Sequence, residues 1–157
     1  MKLDDLMAIE QIKQLKARYF RLMDQKRWEE WGDVFTEDVR LRFGPGAEDV
    51  VEGRQTVVDY VHGALDFAVT VHHGHMPEIE VSGTTATGIW AMYDHTDSAW
   101  DYSDRKPSPA PGRNPDRRYV KQGFGHYTEE YRLCDDGQWR IATSALSRLR
   151  VDRLSGP

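Results

Sequence analysis

The stretch TVHHGHMPEI, residues 70–79, places His72, His73 and His75 within four positions, half of the six histidines in the chain. Histidine is the side chain whose ordinary titration falls nearest neutral pH, so such a group suits proton transfer or metal binding. Along a strand, alternate side chains face opposite sides. His72 then shares a face with Thr70, Gly74 and Met76, while His73 and His75 share the other with Val69 and Val71. The three rings cannot converge on one point. Only His73 and His75 could chelate together, and no acid or cysteine cluster stands nearby to complete a metal site, so none is assigned. The expectation is one imidazole pointing into a cavity and the others satisfied by sheet or subunit contacts.

A cavity histidine does acid–base work only where a partner sets its proton, and the segment RYFRLMDQKRW offers two candidates. Tyr19 falls on the apolar stripe of a predicted helix, so its ring is buried and its hydroxyl needs a partner. Asp24 follows five residues later, about 140° further round an ideal helix, near the helix end. A carboxylate there opposes the macrodipole, so something should justify it. Asp24 can turn back towards the cavity or cap the next helix, and the spacing leaves both open. Asp94 is in phase with Trp90 and Met92, which puts it at the mouth of a pocket or at a strand end. Arg148 is in phase with Leu146 and Ser144, and can pair with Asp94 or with an anionic group of a substrate.

The elements that must position these groups follow from periodicity. Leu6, Ile9, Ile12, Leu15, Tyr19 and Leu22 recur every three or four residues and predict an opening helix, with Lys13, Lys16, Arg18 and Arg21 on its remaining surface. A short helix is expected around RWEEWGDVF, and a half-buried strand at VRLRF with Val39, Leu41 and Phe43 inward. After a turn at GPG, another helix is expected over RQTVVDYVHGALD, with Val57, Tyr60, Val61 and Leu65 on one side. Beyond residue 68 the period becomes two, with strands at about 68–75, 77–82, 86–98, 120–133 and 138–150, and turns at VSGTT and CDDGQW. Helices first and long antiparallel strands last make an α+β domain, its helices on one face of a curved sheet that encloses a cone-shaped cavity. The proline-rich stretch 103–118 reads as a long loop.

Composition narrows the function classes. The chain has 157 residues, 30% of them charged, which fits one soluble domain with a proper core. Its net charge of −5 argues against a nucleic-acid binder, despite the short basic runs GRNPDRR and SRLRVDR. No apolar run approaches the ~20 residues of a membrane helix. The N-terminal MKLDDLMAIEQ carries acids where an export signal needs a basic segment, and a single cysteine, Cys134, fits a reducing cytoplasm. Trp28, Trp31, Trp90 and Trp100 are core or pocket-lining candidates.

Three segments together carry a resemblance: AIEQIKQLKARYFRLMDQKRWEEWGDVFTEDV, TVHHGHMPEIEVSGTTATGIWAMYD and GHYTEEYRLCDDGQWRI. From about residue 5 to residue 150 the chain resembles the SnoaL-like branch of the nuclear transport factor 2-like superfamily, and within it scytalone dehydratase and bile-acid 7α-dehydratase. The resemblance implies a cone-shaped α+β barrel, commonly a homotrimer, over residues 1–157. It places the dehydratases' tyrosine and aspartate at Tyr19 and Asp24. The H-x-G-H-x-P-E-I pattern places their strand histidine at His72, and the further polar pocket residues fall on Asp94 and Arg148. The implied chemistry is elimination of water from a hydroxylated carbonyl compound, with no metal and no organic cofactor. A second pocket tyrosine of scytalone dehydratase has Phe43 in its place here.

Overall fold

The protein, in a computed structural model that describes residues 2–98 and 120–154, is an α+β domain of three helices and one curved six-stranded sheet. The long loop, with Trp100, lies outside the described residues. Helix α1 (Leu3–Asp24) comes first, followed by α2 (Trp28–Gly32), β1 (Phe35–Arg42), a 3₁₀ turn (Ala47–Asp49), β2 (Val50–Glu52), α3 (Arg54–Leu65), β3 (Val69–Ser82), β4 (Thr85–Asp97), β5 (Val120–Leu133) and β6 (Trp139–Leu154). The sheet order is β2-β1-β6-β5-β4-β3. Every neighbouring pair is antiparallel except β1 and β6, which are parallel.

The two tight turns form where the sequence supplies glycine: Gly83 and Gly137 take φ of 63° and 75°, the left-handed region that other residues avoid. Strand β3 is continuous where two strands were expected. Met76 adopts φ of 43° and the register with β4 shifts between His75 and Glu78, a bulge that bends the strand without ending it. The bulge also takes Met76 off the face of Thr70, His72 and Gly74, and its side chain is fully in solvent at 88% exposure. β2 carries no alternation long enough to announce itself.

Helix α1 lies against the sheet and buries Ala8, Ile12, Leu15, Lys16, Tyr19, Phe20, Leu22 and Met23. Leu6, expected in the stripe, is exposed. Lys16, expected on the solvent side, is completely buried, for a reason given below. On α3 the inward set is Val57, Val58 and Val61, and Tyr60 instead lies outside, stacked on Phe43 at 5.2 Å. Trp31 and Trp90 are core residues. Trp28 sits at the periphery, stacked on His62 and donating its indole N–H to Asp66 at 2.7 Å. Among the described residues no helix is long and apolar enough to cross a membrane.

Candidate active site

Helix α1 stops directly after Asp24, and the stop has a local cause. Lys26 takes φ of 61°, its N–H bonds to the Met23 carbonyl, and the Arg27 N–H bonds back to the Leu22 carbonyl. This is a Schellman closure with lysine where glycine is usual. It leaves the Asp24 carboxylate at the helix end beside β3. There it accepts three hydrogen bonds: from the His72 backbone N–H (2.9 Å), from the Thr70 hydroxyl (2.9 Å) and from His72 Nδ1 (2.6 Å). Charge-assisted bonds of this kind are the justification a carboxylate at a helix C-terminus needs. The first residue of α2 is preceded by Arg27 with no side-chain cap, so Asp24 does not cap that helix.

The alternation argument holds at His72. Its side chain is 7% exposed and turned to the inner face with the buried Thr70. An ionised carboxylate can only accept, so the proton between the two groups belongs to Nδ1, and in the neutral ring Nε2 is left with the lone pair. Lys26 Nζ donates to the Thr70 hydroxyl at 2.7 Å, which leaves that hydroxyl's own proton for Asp24. Gly74 permits the approach of helix and strand: a Cβ there would meet Phe20 of α1 at 2.8 Å.

A row across the sheet extends the site. His72 is opposite Asp94 on β4, and Asp94 is opposite Gly123 on β5. Asp94 is buried with its in-phase neighbours Trp90 and Met92, so it lies within the sheet and not at a frayed end. Arg148 of β6 reaches over the strand between them to form an ion pair with Asp94 Oδ2 at 2.7 Å. Its path is open only because residue 123 is glycine, since a Cβ there would overlap Arg148 Nη1 and Asp94 Oδ1. Asp94 Oδ1 is buried and has no hydrogen-bond partner.

Tyr19 is buried on the core side of α1, its ring 5.3 Å from Phe20, 5.5 Å from Trp31, 5.9 Å from Phe35 and 6.3 Å from Tyr127. Burial pushes its hydroxyl well above the usual tyrosine range. The neighbouring phenol of Tyr127 and the carboxylates of Glu129, Asp24 and Asp94 add to the shift. Tyr19 therefore keeps its proton. Tyr127 is held protonated in the same way, by burial first and then by Asp94 and Glu129. This second buried phenol stands on β5, away from Phe43 of the β1 end.

Beneath the tyrosines lies an ionic network that periodicity concealed. Lys16 Nζ donates to Glu129 Oε1 at 2.6 Å, with both side chains at 0% exposure. The Ser144 hydroxyl bonds the same oxygen at 2.8 Å. The Tyr131 hydroxyl donates to the other oxygen and accepts from Trp90 Nε1 at 2.7 Å. The ammonium also sits 4.0 and 3.9 Å from the ring centroids of Tyr19 and Tyr127. One signal was available: Tyr127, Glu129 and Tyr131 are in phase along β5, an acid flanked by two buried rings.

Among the described residues one groove of about 230 Å³ lies at β1–β6 beside Leu41 and Ser144, and another of about 290 Å³ lies between α1 and the β5–β6 turn. The rings of Tyr19, Phe20 and Tyr127 contact one another where α1 meets β5.

The sequence profile of the SnoaL-like domain matches residues 4–145. The chain belongs to the SnoaL-like family. Its fold is that of the nuclear transport factor 2-like superfamily, and solved structures agree. A Mycobacterium tuberculosis protein of unknown function is 26% identical, with 92% of this chain and 78% of that one aligned at a TM-score of 0.72. A scytalone dehydratase candidate from Novosphingobium aromaticivorans is 20% identical, covering 97% and 91% at 0.74. The hexachlorocyclohexane dehydrochlorinase LinA-type3 from Novosphingobium barchaimii is 15% identical, covering 97% and 93% at 0.74. At these identities the last two establish the shape of this SnoaL-like domain and not its reaction.

Proposed function

We propose that this SnoaL-like domain is a cofactor-independent hydro-lyase that removes water from a β-hydroxy ketone or a similar hydroxylated carbonyl compound. The observation that carries the proposal is the 2.6 Å contact between His72 Nδ1 and Asp24, which commits the ring to one tautomer and leaves Nε2 as a base. His72 Nε2 takes the proton α to the carbonyl. Tyr19 donates a hydrogen bond to the carbonyl oxygen, whose negative charge grows as that proton leaves. The electron pair then returns to form the carbon–carbon double bond as the β carbon–oxygen bond breaks. The protonated His72 hands its proton to the departing hydroxyl, which leaves as water. Asp24 stabilises the imidazolium between the two transfers. Asp94 and Arg148 hold the substrate on the other side of the row.

The same base and donor support a double-bond isomerase, in which the proton returns to carbon. Incubation with hydroxylated steroid and aromatic ketones separates the readings by mass. A product lighter by one water supports the hydro-lyase, a product of equal mass the isomerase, and unchanged bound ligand a non-catalytic binding module. His72→Ala should abolish the conversion in either enzymatic case. The working setting that goes with this reading is the cytoplasm, and the working form a homo-oligomer, a trimer in preference. The exposed Val71 and Ile89 on the outer face of the sheet support self-association, which light scattering on the purified chain measures.

A further inference from the structure

Lys121 of β5 is opposite Thr96 of β4 on one side and Arg153 of β6 on the other, two residues along from the Asp94–Gly123 pair. By alternation it shares the inner face with Gly123, over which Arg148 lies. Burial holds its ammonium below the usual lysine range, and the Arg148 and Arg153 guanidiniums push the same way. Among the described residues the one carboxylate that acts on Lys121 is Asp94, and Asp94 is already paired with Arg148. On the helix side, Lys26 reaches Thr70, next to the dyad. Among the described residues three cationic side chains, Lys121, Arg148 and Arg153, thus stand around one carboxylate, Asp94, in a chain whose net charge is −5. Like charges held together in a partly buried place repel unless an anion joins them.

We propose that Lys121, Arg148 and Arg153 form an anion subsite at the β4–β6 side of the dyad, so that the substrate is a carbonyl compound that also bears a carboxylate or phosphate group. The substrate class rests on the dehydratase reading, while the subsite itself does not. Arg148, held by Asp94, offers a planar guanidinium, and Lys121 supplies a second charge from the neighbouring strand. The ring body of the ligand then extends from this anchor towards Tyr19 and His72. Asp94 Oδ1, buried and without a partner, is placed to accept from a hydroxyl of the same molecule.

The test is calorimetric binding of matched probes to the full chain: 2-naphthoate, its methyl ester and 2-naphthyl phosphate. At least one anion should bind about tenfold more tightly than the ester, and whichever anion binds identifies the group. Lys121→Met should remove that preference while leaving the affinity for the ester unchanged. It should also raise the melting temperature at low salt, because it relieves the repulsion with Arg148 and Arg153. Equal binding of acid and ester, no binding of either anion, or an unaltered preference in Lys121→Met overturns the subsite. The same titration in His72→Ala separates the two ideas, since an anion preference retained there stands whether or not the domain is a hydro-lyase.

Discussion

Two polar pairs tie α1 to the sheet, and they differ in how completely they are satisfied. Lys16–Glu129 has no exposure, and both carboxylate oxygens are engaged, one by Lys16 and Ser144 and the other by Tyr131. Asp24–His72 lies nearer the surface at 22% and 7% exposure, and one nitrogen of its imidazole takes no part in the contact. A saturated buried network fixes one packing and has nothing left to give a ligand. A pair with one nitrogen to spare is poised for proton transfer. That difference is what the proposed hydro-lyase reading rests on.

Substitutions can break that contrast. The largest effect should come from Lys16→Met, which strands the Glu129 charge and should cost about 3–5 kcal/mol of stability in chemical denaturation. His72→Ala should leave the melting curve close to that of the parent chain while lowering kcat at least about 10²-fold on a confirmed substrate, roughly 2.7 kcal/mol of barrier. Tyr19→Phe keeps the packing and removes the donor, and should lower kcat about 10²-fold with little change in KM. Gly123→Ala drives Arg148 off Asp94 and should raise KM about tenfold with kcat nearly unchanged. Smallest of all should be the stability change in Lys16→Met/Glu129→Leu, within about 1–2 kcal/mol of the parent chain, because an apolar pair replaces the ion pair without leaving a charge behind. If the double variant is as unstable as the single one, the deep network does more than fill space.

Much of this contrast was legible in the residues. Period-two alternation separated His72 from His73 and His75, and the same rule placed Asp94 with Trp90 and Met92. It failed at Met76, because a bulge breaks alternation without leaving a turn signal. Helical periodicity brought Tyr19 inward, yet misread Lys16, whose charge is tolerated only because Glu129 meets it from 113 positions away in the chain. No local pattern carries a pairing of that range. Gly123 was equally silent, since its role is to leave room for a side chain from another strand. The contact of Tyr19 and Phe20 with Tyr127 was also hidden, because it arises from α1 and β5 meeting, not from either alone.

The claim at the centre is that Asp24 holds His72 with its proton on Nδ1 and Nε2 free to act as a base. Nitrogen-15 spectra of the imidazole in its neutral form test this without any substrate. The expected result is a proton on Nδ1 and an unprotonated Nε2 in the parent chain, with the preference lost in Asp24→Ala. A proton found on Nε2, or a tautomer indifferent to the removal of Asp24, would contradict it.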